Sequence, residues 1–383
     1  MTSIINSDIR ALKTPVTLAD PREASHKTPP NQAAPDAGIT ISIYNPEAAT
    51  SRRWRECRHS LLLSSAETSR NPFFSTGCIY VEAYDELFAT SNLLQSTSSS
   101  ALPVILISRV KLHRDRGLPD TDSVTSVEWA KLRPPPSMPM PAGGVACVDG
   151  GVVFCAQGSL SPGSGGLFLM PRGKPPEPLV TGYYGRDFNS PNGVALASDG
   201  AMWFTDPCHG FERDFRKKPQ LPCQVYRFHP AEGGPRVVAD GLGRPTGIAF
   251  SPDGATLYIS DTDALRGDGS QDLTRAATIY AFDVVSRSGS PFLVNKRVFA
   301  YSILGIPMGL VCGRNGNVYA GCADGVEVWT SGGKLEAVIK VPGGVTNMCF
   351  GMTELEMFLC AEQSLWRLQF GEEEEAPIKC ETP

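Results

Sequence analysis

The chain has 383 residues, with 35 basic and 40 acidic side chains and a formal net charge of −5. This near-balance disfavours a nucleic-acid-binding protein, which ordinarily carries a basic excess. Hydrophobic residues make up 41% and charged residues 20%, so the composition predicts a folded core rather than a disordered chain. The 38 glycines and 32 prolines predict many short strands joined by turns.

Residues 1–40 are polar and rich in proline, which predicts a flexible N-terminal tail. The tail begins without the apolar segment of a signal peptide, and no apolar run of the sequence approaches the ~20 residues of a membrane-spanning helix. We therefore expect a soluble, cytoplasmic protein without a membrane span. The 11 cysteines show no CxxC spacing, and without a secretion signal we expect Cys208 and Cys223 to be free thiols rather than a disulfide.

A tight turn followed by an apolar strand recurs after about residue 70. Its copies begin at Asp149-Gly150, Asp199-Gly200, Asp253-Gly254 and Asn315-Gly316, with weaker copies at Tyr84-Asp85 and Thr353-Glu354. We expect hairpin turns in which both central residues adopt a positive φ. Six such units predict an all-β fold, a six-bladed β-propeller with four-stranded antiparallel blades. The propeller is predicted to form a single domain over residues 41–371, followed by an acidic C-terminal tail at 372–383.

Two further elements are predicted outside the regular repeat. The segment Ser123–Leu132 is the best candidate for a single helical turn. The stretch Ile39–Leu63 is predicted to supply a strand that closes the ring, because a propeller must protect the edges of its sheets.

The geometry of a blade predicts where the functional site lies. The innermost strand of each blade begins at one face of the ring, and the loop after the second strand returns to that face. The residues that precede the inner strands should therefore surround one shared funnel, and loops on a rigid scaffold usually carry function. These segments are Ser75-Thr76, Met140–Gly143, Ser190–Gly193, Pro245–Gly247, Pro307–Gly309 and Thr346-Asn347.

Three long motifs carry a family resemblance, and they read FNSPNGVALASDGAMWFTDP, GLGRPTGIAFSPDGATLYISDT and GIPMGLVCGRNGNVYAGCADGVEVW. They resemble the SMP-30/gluconolactonase family, and its fungal lactonohydrolase branch in particular, over residues 73–370. The resemblance implies a six-bladed propeller that binds one divalent ion in its central funnel and hydrolyses lactones or related esters.

The metal ligands that the resemblance implies are largely replaced in this chain. The family's Glu position corresponds to Thr76, its Asn position to Thr246 and its Asp position to Met308, while Asn192 alone is retained. A hard divalent cation needs carboxylate and amide oxygens, and a thioether is a soft ligand. We therefore predict no metal and no other cofactor.

A funnel without charged ligands suits an apolar substrate held by a few directed hydrogen bonds. This pattern is similar to that of the metal-free hetero-Diels–Alderases of tropolonic sesquiterpene biosynthesis. The resemblance predicts a metal-independent cyclase of fungal secondary metabolism that acts on a polyketide or terpenoid. Its predicted catalytic residues are Asn192, Arg186, His209 and Tyr184. Its predicted substrate-binding residues are Thr76, Thr246, Met308, Asn189 and Asn347.

Two other functions remain open at this point. One is a lactone or ester hydrolase that works without the family's metal, and the other is a propeller that binds a small molecule and catalyses nothing. His209 has an alternative interpretation as a solvent-exposed loop residue, and Asn189 and Asn192 as turn residues that bond backbone groups. The oligomeric state cannot be predicted from the sequence.

Overall fold

Residues 2–3, 14–19, 38–66, 71–94, 103–115, 117, 124–302 and 305–372 are described in a computed structural model of the protein. They form six antiparallel sheets of four principal strands each, and the inner strands surround a central channel. The predicted all-β, six-bladed propeller is therefore confirmed. Among the described residues, no helix has the length and apolar character to cross a membrane.

The six blades follow one another around the ring, and each begins with its innermost strand. The strands of blades 1 to 3 are Cys78–Val81, Glu86–Thr90, Ile107–Arg114 and Val124–Leu132; Pro141–Ala146, Val152–Ala156, Gly166–Met170 and Glu177–Val180; and Val194–Leu196, Met202–Asp206, Gln224–Phe228 and Arg236–Ala239. Those of blades 4 to 6 are Pro245–Phe250, Thr256–Asp261, Thr278–Arg287 and Ser290–Tyr301; Leu310–Cys312, Val318–Cys322, Gly325–Trp329 and Leu335–Lys340; and Asn347–Phe350, Glu356–Ala361, Ser364–Gln369 and Arg58–Ser64.

Shorter elements lie outside the four principal strands of each blade. They are the strands Thr2–Ser3, Thr14–Pro15, Thr17–Ala19 and Thr40–Ile43, the hairpin strands Gly182–Tyr183 and Arg186–Asp187, the 3-10 helices Ala48–Thr50 and Glu82–Tyr84, and the α-helical turns Arg52–Arg55 and His209–Glu212. Three of the short strands fall within the predicted tail of residues 1–40, most of which lies outside the described residues. The boundaries of both tails stay predictions.

Blade 6 is built from both ends of the described chain. Its fourth strand, Arg58–Ser64, pairs antiparallel with Ser364–Gln369. The strand lies at the end of the stretch Ile39–Leu63, so the predicted ring-closing strand is confirmed. Thr40–Ile43 from the same stretch adds a fifth strand to blade 5, where it pairs with Leu335–Lys340.

The core of the molecule lies between the blades. A cluster of buried apolar side chains joins each pair of neighbouring blades, as Trp203, Ile248 and Leu257 do for blades 3 and 4. The second strand of a blade is covered on both faces by its neighbours, so a strand such as Val152–Ala156 is buried at every position. This explains why these strands read as unbroken apolar runs rather than as alternating patterns.

Two local predictions are wrong. Within the segment Ser123–Leu132, the described residues Val124–Leu132 form the fourth strand of blade 1 and not a helical turn. In the recurring Asp-Gly turns only the glycine has a positive φ, as Gly200 does at 83°. The preceding aspartate avoids that conformation because its carboxylate accepts the backbone N–H two residues on, for example from Ala201 to Asp199 at 2.9 Å.

Candidate functional site

A ring of six residues stands where the inner strands begin. We call Thr76, Ala142, Asn192, Thr246, Met308 and Thr346 the channel ring. Each is followed by a glycine except Thr346, which is followed by Asn347. The glycines are needed because the backbone of the next blade approaches closely: a Cβ on Gly247 would lie against the carbonyl oxygen of Met308, and one on Gly193 against that of Thr246.

Hydroxyl groups from the second strands hold this ring together. Thr205 Oγ1 accepts the N–H of Gly193 at 3.0 Å and donates to the carbonyl of Thr246 at 2.8 Å. Ser260 repeats the arrangement one blade later, accepting from Gly247 at 2.7 Å and donating to Met308 at 2.6 Å. These hydroxyl groups therefore connect the inner strands of neighbouring blades, which belong to separate sheets.

Asn347 completes the ring of contacts at the junction of blades 6 and 1. Its side-chain amide donates to the carbonyl of Thr76, and its Oδ1 accepts the N–H of Met348 at 2.9 Å. Both polar ends of the side chain are thus occupied by backbone groups. Asn347 therefore makes a structural contact. The ring position that corresponds to Asn192 and Thr246 is Thr346, which is absent from the predicted substrate-binding residues.

We expect Gly247→Ala to lower the free energy of unfolding by about 1–3 kcal/mol, because the new methyl group collides with the backbone oxygen of Met308, which cannot move without displacing blade 5. The measurement is chemical denaturation of both proteins. Gly332→Ala is the matched control, since the nearest atom to its added methyl group is 3.9 Å away. Equal stability of the two variants would show that the close approach is not a constraint.

The channel encloses a cavity of about 460 Å³ that follows the inner strands from the ring towards the turns. Thr76, Asn192, Thr246, Met308 and Asn347 all line it. The prediction that the segments before the inner strands surround one funnel is confirmed. Below the ring the wall is mostly apolar, with Ile79, Val194, Ile248, Leu310 and Met348 among its residues.

Asn192 is a polar side chain of the ring that is free to meet a ligand. The residue is 7% exposed, and its amide has no hydrogen-bond partner within the described part of the chain. Its backbone N–H and carbonyl are occupied by Thr205 and Gly143. The amide therefore offers two N–H donors and one acceptor to a molecule in the cavity.

His209 lies directly behind Thr246. It is buried on the helical turn His209–Glu212, and its Nε2 is 3.3 Å from Thr246 Oγ1. Its Nδ1 faces Glu212 Oε2 at 3.8 Å. The alternative interpretation of His209 as an exposed loop residue is therefore wrong. The histidine does not line the cavity itself, and it contacts the channel ring at Thr246.

Three of the predicted site residues lie away from the cavity. Tyr184 is 81% exposed at the tip of the hairpin 182–187, with its hydroxyl near Gly234 in an outer turn of blade 3, and Arg186 is exposed on the same hairpin. Neither reaches the channel, because the segment before blade 3 folds outward as a hairpin. Asn189 is buried, and its amide donates to the carbonyls of Leu221 and Pro222 at 3.1 and 3.2 Å.

The loop that carries Asn192 is held from behind by Asp206. Its carboxylate accepts the backbone N–H groups of Asn189 and Ser190 at 2.9 and 2.7 Å. Burial raises the pKa of Asp206 to about 7, against the opposing effect of these hydrogen bonds. In the next blade, the carboxylate of Asp261 likewise accepts the backbone N–H groups of Gly243 and Arg244. These carboxylates position the ring and do not enter the cavity.

The donors of the ring do not fit the divalent cation that the resemblance implies. They are the hydroxyls of Thr76, Thr246 and Thr346, the amide of Asn192 and the thioether of Met308. A hard cation is held mainly by carboxylates, and none belongs to the described residues that line the cavity. The described ranges also contain no group of three or more His, Cys, Asp or Glu side chains placed to hold a metal ion.

Cysteines occupy part of the channel wall. Cys78 and Cys349 come from the inner strands of blades 1 and 6, and their sulfur atoms are 3.5 Å apart. Hydrogen bonds from Cys349 and Cys360 lower the pKa of Cys78 to about 5 despite its burial. Cys208 and Cys223 are free thiols, as predicted.

Comparison with known proteins agrees with this architecture. The profile of the SMP-30/Gluconolactonase/LRE-like region matches residues 107–361. A gluconolactonase of Zymomonas mobilis is 28% identical over 200 residues, which cover 50% of this chain and 53% of the relative. Lactonohydrolase oryL of Aspergillus oryzae is 30% identical over 208 residues, covering 50% of this chain and 47% of the relative. The chain thus spans about half the length of the curated relatives it matches.

A solved structure extends the similarity over almost the whole propeller. The gluconolactonase XC5397 from Xanthomonas campestris superimposes with a TM-score of 0.65 at 26% identity, covering 90% of this chain and 99% of the other. The family profile alone spans well over half of the chain. The protein therefore belongs to the SMP-30/gluconolactonase/LRE-like family.

Proposed function

We propose that the protein hydrolyses a lactone or a carboxylic ester in the central channel. The observation that carries the proposal is that two polar groups stand on neighbouring inner strands. One is the side-chain amide of Asn192, and the other is the hydroxyl of Thr246, which lies 3.3 Å from His209 Nε2. Gly193, next to Asn192, lies against the carbonyl of Thr246, so the two side chains leave adjacent points of the ring. The gluconolactonase and lactonohydrolase relatives support the same reaction class.

Ester cleavage needs a hydrogen-bond donor beside the carbonyl oxygen of the substrate. Attack on a carbonyl carbon places negative charge on the carbonyl oxygen, and an N–H donor aimed at that oxygen stabilises the transition state. The amide of Asn192 supplies such a donor at the channel ring. The apolar wall below the ring then holds the hydrocarbon part of the substrate.

Cycloaddition, the main prediction from the sequence, is the second candidate. It is favoured by one observation: no Asp, Glu, His, Lys or Arg belongs to the described residues that line the cavity. A cycloaddition needs mainly orientation of its partners, which contributes up to roughly 7–11 kcal/mol in the best cases, and a donor to polarise the heterodiene. The family relatives favour hydrolysis, and the two candidates differ in whether Thr246 and His209 are required.

We expect Asn192→Ala to lower kcat/KM for lactone hydrolysis by roughly 10²–10³-fold, since removal of one oxyanion donor has that effect in other acyl-transfer enzymes. Asn192→Asp should be equally impaired, because a carboxylate has the same shape but repels the developing charge. The assay is acid release in a pH-stat with aliphatic γ- and δ-lactones and gluconolactone.

Tyr184→Phe is the control for this series, because it removes a hydroxyl on the exposed hairpin and should leave the rate unchanged. Thermal melts establish that each variant is folded. Absence of hydrolysis by the folded wild-type protein on every lactone and ester tested would refute the proposed function and leave the cyclase candidate, which is then assayed with an o-quinone methide and an apolar alkene.

A further inference from the structure

Thr246, His209 and Glu212 follow one another in space, leading away from the channel wall. Thr246 Oγ1 lies 3.3 Å from His209 Nε2, and Glu212 Oε2 lies 3.8 Å from His209 Nδ1. A hydroxyl, an imidazole and a carboxylate in this order are the parts of a nucleophile, a general base and the group that orients the base. Resting on the proposed function, we propose that Thr246 is the nucleophile and His209 its general base.

The surroundings of His209 keep it ready to accept a proton. Burial lowers the pKa of the imidazole, and the cations of Arg213 and Arg244 act in the same direction against the carboxylate of Glu212. The ring is therefore neutral at pH 7, and a neutral imidazole has one nitrogen that accepts and one that donates. With Nδ1–H directed at Glu212, the accepting nitrogen is Nε2, which faces the hydroxyl of Thr246.

Glu212 is held in place as a carboxylate. Arg244 donates to both of its oxygens, through Nε at 2.9 and 3.1 Å, and also contacts Asp263. The nearby imidazole of His209 and the hydrogen bonds from Arg244 lower the pKa of Glu212 to about 2, although its burial has the opposite effect. A fixed negative charge behind Nδ1 stabilises the imidazolium that forms when His209 takes up a proton.

Thr246 itself is restrained on the side away from the channel. Its hydroxyl lies 2.9 Å from Thr262 Oγ1 and can donate to the carbonyl of Arg244 at 3.1 Å. Thr262 also donates to that carbonyl at 3.1 Å, which leaves Thr262 Oγ1 able to accept. The hydroxyl of Thr246 thus has several neighbours, of which His209 is the only base.

The reaction balances with these groups and one water molecule. Thr246 Oγ attacks the carbonyl carbon, its proton passes to His209 Nε2, and Asn192 donates to the carbonyl oxygen. The ring C–O bond breaks, and the departing alkoxide takes the proton from His209, which leaves an ester on Thr246. Water then attacks this ester and gives a proton to His209. Thr246 Oγ recovers that proton as it leaves, and the product is the hydroxy acid.

The test compares Thr246→Val, which keeps the shape but removes the hydroxyl, with Thr246→Ser, which retains it, and with His209→Gln. We expect the Val and Gln variants to lose at least about 10²-fold in lactone hydrolysis and the Ser variant to keep most of the rate. Thr125→Val, which removes a hydroxyl from the outer strand of blade 1, should match the wild type. Thermal melts establish folding.

A second readout does not depend on turnover of a lactone. The proteins are mixed with 4-nitrophenyl butyrate, quenched in acid and analysed by mass spectrometry, and we expect a butyryl group on Thr246 that is absent from the Val and Gln variants. In the wild type, kcat/KM should fall at acid pH with a midpoint below the ordinary histidine pKa of 6.5, because burial lowers the pKa of His209 and only the neutral ring accepts a proton. This limb should disappear in His209→Gln.

The two proposals fail in different ways. Hydrolysis that survives Thr246→Val, or a butyryl group on another residue or on none, overturns the assignment of the nucleophile and leaves the proposed function standing if lactones are cleaved. A butyryl group on Thr246 without hydrolysis of any lactone or ester supports the nucleophile and refutes the proposed function. Absence of both refutes both.

Discussion

Removal of residues 1–64 is expected to abolish cooperative folding of the propeller. The deletion takes away Arg58–Ser64, the fourth strand of blade 6, together with the buried side chains of Trp54, Leu62 and Leu63. Each of these apolar side chains contributes roughly 1.5–3 kcal/mol on burial, and their sum is comparable with the 5–15 kcal/mol by which domains are ordinarily stable. The deleted protein should show no cooperative transition in a thermal melt followed by circular dichroism.

A shorter deletion, of residues 1–37, is the control. It removes the short strands Thr2–Ser3, Thr14–Pro15 and Thr17–Ala19 but keeps Thr40–Ile43 in blade 5 and the four principal strands of blade 6, so we expect a melt close to that of the full chain. The comparison also tests the predicted boundary of the tail at residue 40. A cooperative melt for the protein that lacks residues 1–64 would show that the ring is stable without its closing strand.

Replacement of Glu356 by alanine is expected to lower the free energy of unfolding by about 3–5 kcal/mol. Its carboxylate accepts from Arg367, which is completely buried, and from Arg114 at 2.8 and 3.1 Å. Arg114 also reaches Asp85 at 2.7 Å, so the network joins blade 6 to blade 1. The truncation leaves buried cationic charge without its main carboxylate, which is far more unfavourable than the loss of an exposed pair.

Glu128→Ala provides the matched comparison. Glu128 pairs with His113 at 2.8 Å on the outer strands of blade 1, where both side chains are more than one-third exposed. Such a pair contributes at most about 1 kcal/mol. Both variants are measured by urea denaturation at pH 7. Equal losses for the two variants would mean that the Glu356 network does not hold blades 6 and 1 together.

The fold could be predicted because its repeat is local. Each Asp-Gly or Asn-Gly pair specifies one turn, and the apolar run after it specifies one buried strand, so six copies indicated six blades. The outer strands carry weaker signals, and Val124–Leu132 was mistaken for a helical turn because its buried positions are mixed with polar ones. The conformation of the turns was wrong because the pattern does not show which residue receives the positive φ.

The channel ring could be predicted because its members share one position before an inner strand. Thr76, Asn192, Thr246 and Met308 were selected because they occupy the metal-ligand positions that the family resemblance implies, which fall in these segments, and all four line the cavity. Loops offer no such repeat. Arg186 and Tyr184 were chosen for their chemistry near Asn192, but a hairpin turns them outward, and the contacts of His209 with Thr246 and Glu212 depend on a packing arrangement that no spacing encodes.

The composition of blade 6 also has a consequence during protein synthesis. Ser64 pairs with Ser364, and about 300 residues separate them along the chain. At translation rates of roughly 5–20 residues per second, Arg58–Ser64 must wait on the order of 15–60 s for its partner strand to be made. Throughout that time Leu62 and Leu63 lack their blade 6 neighbours Phe358, Cys360 and Leu365, so the nascent chain passes through a period of aggregation risk that chaperone binding would shorten.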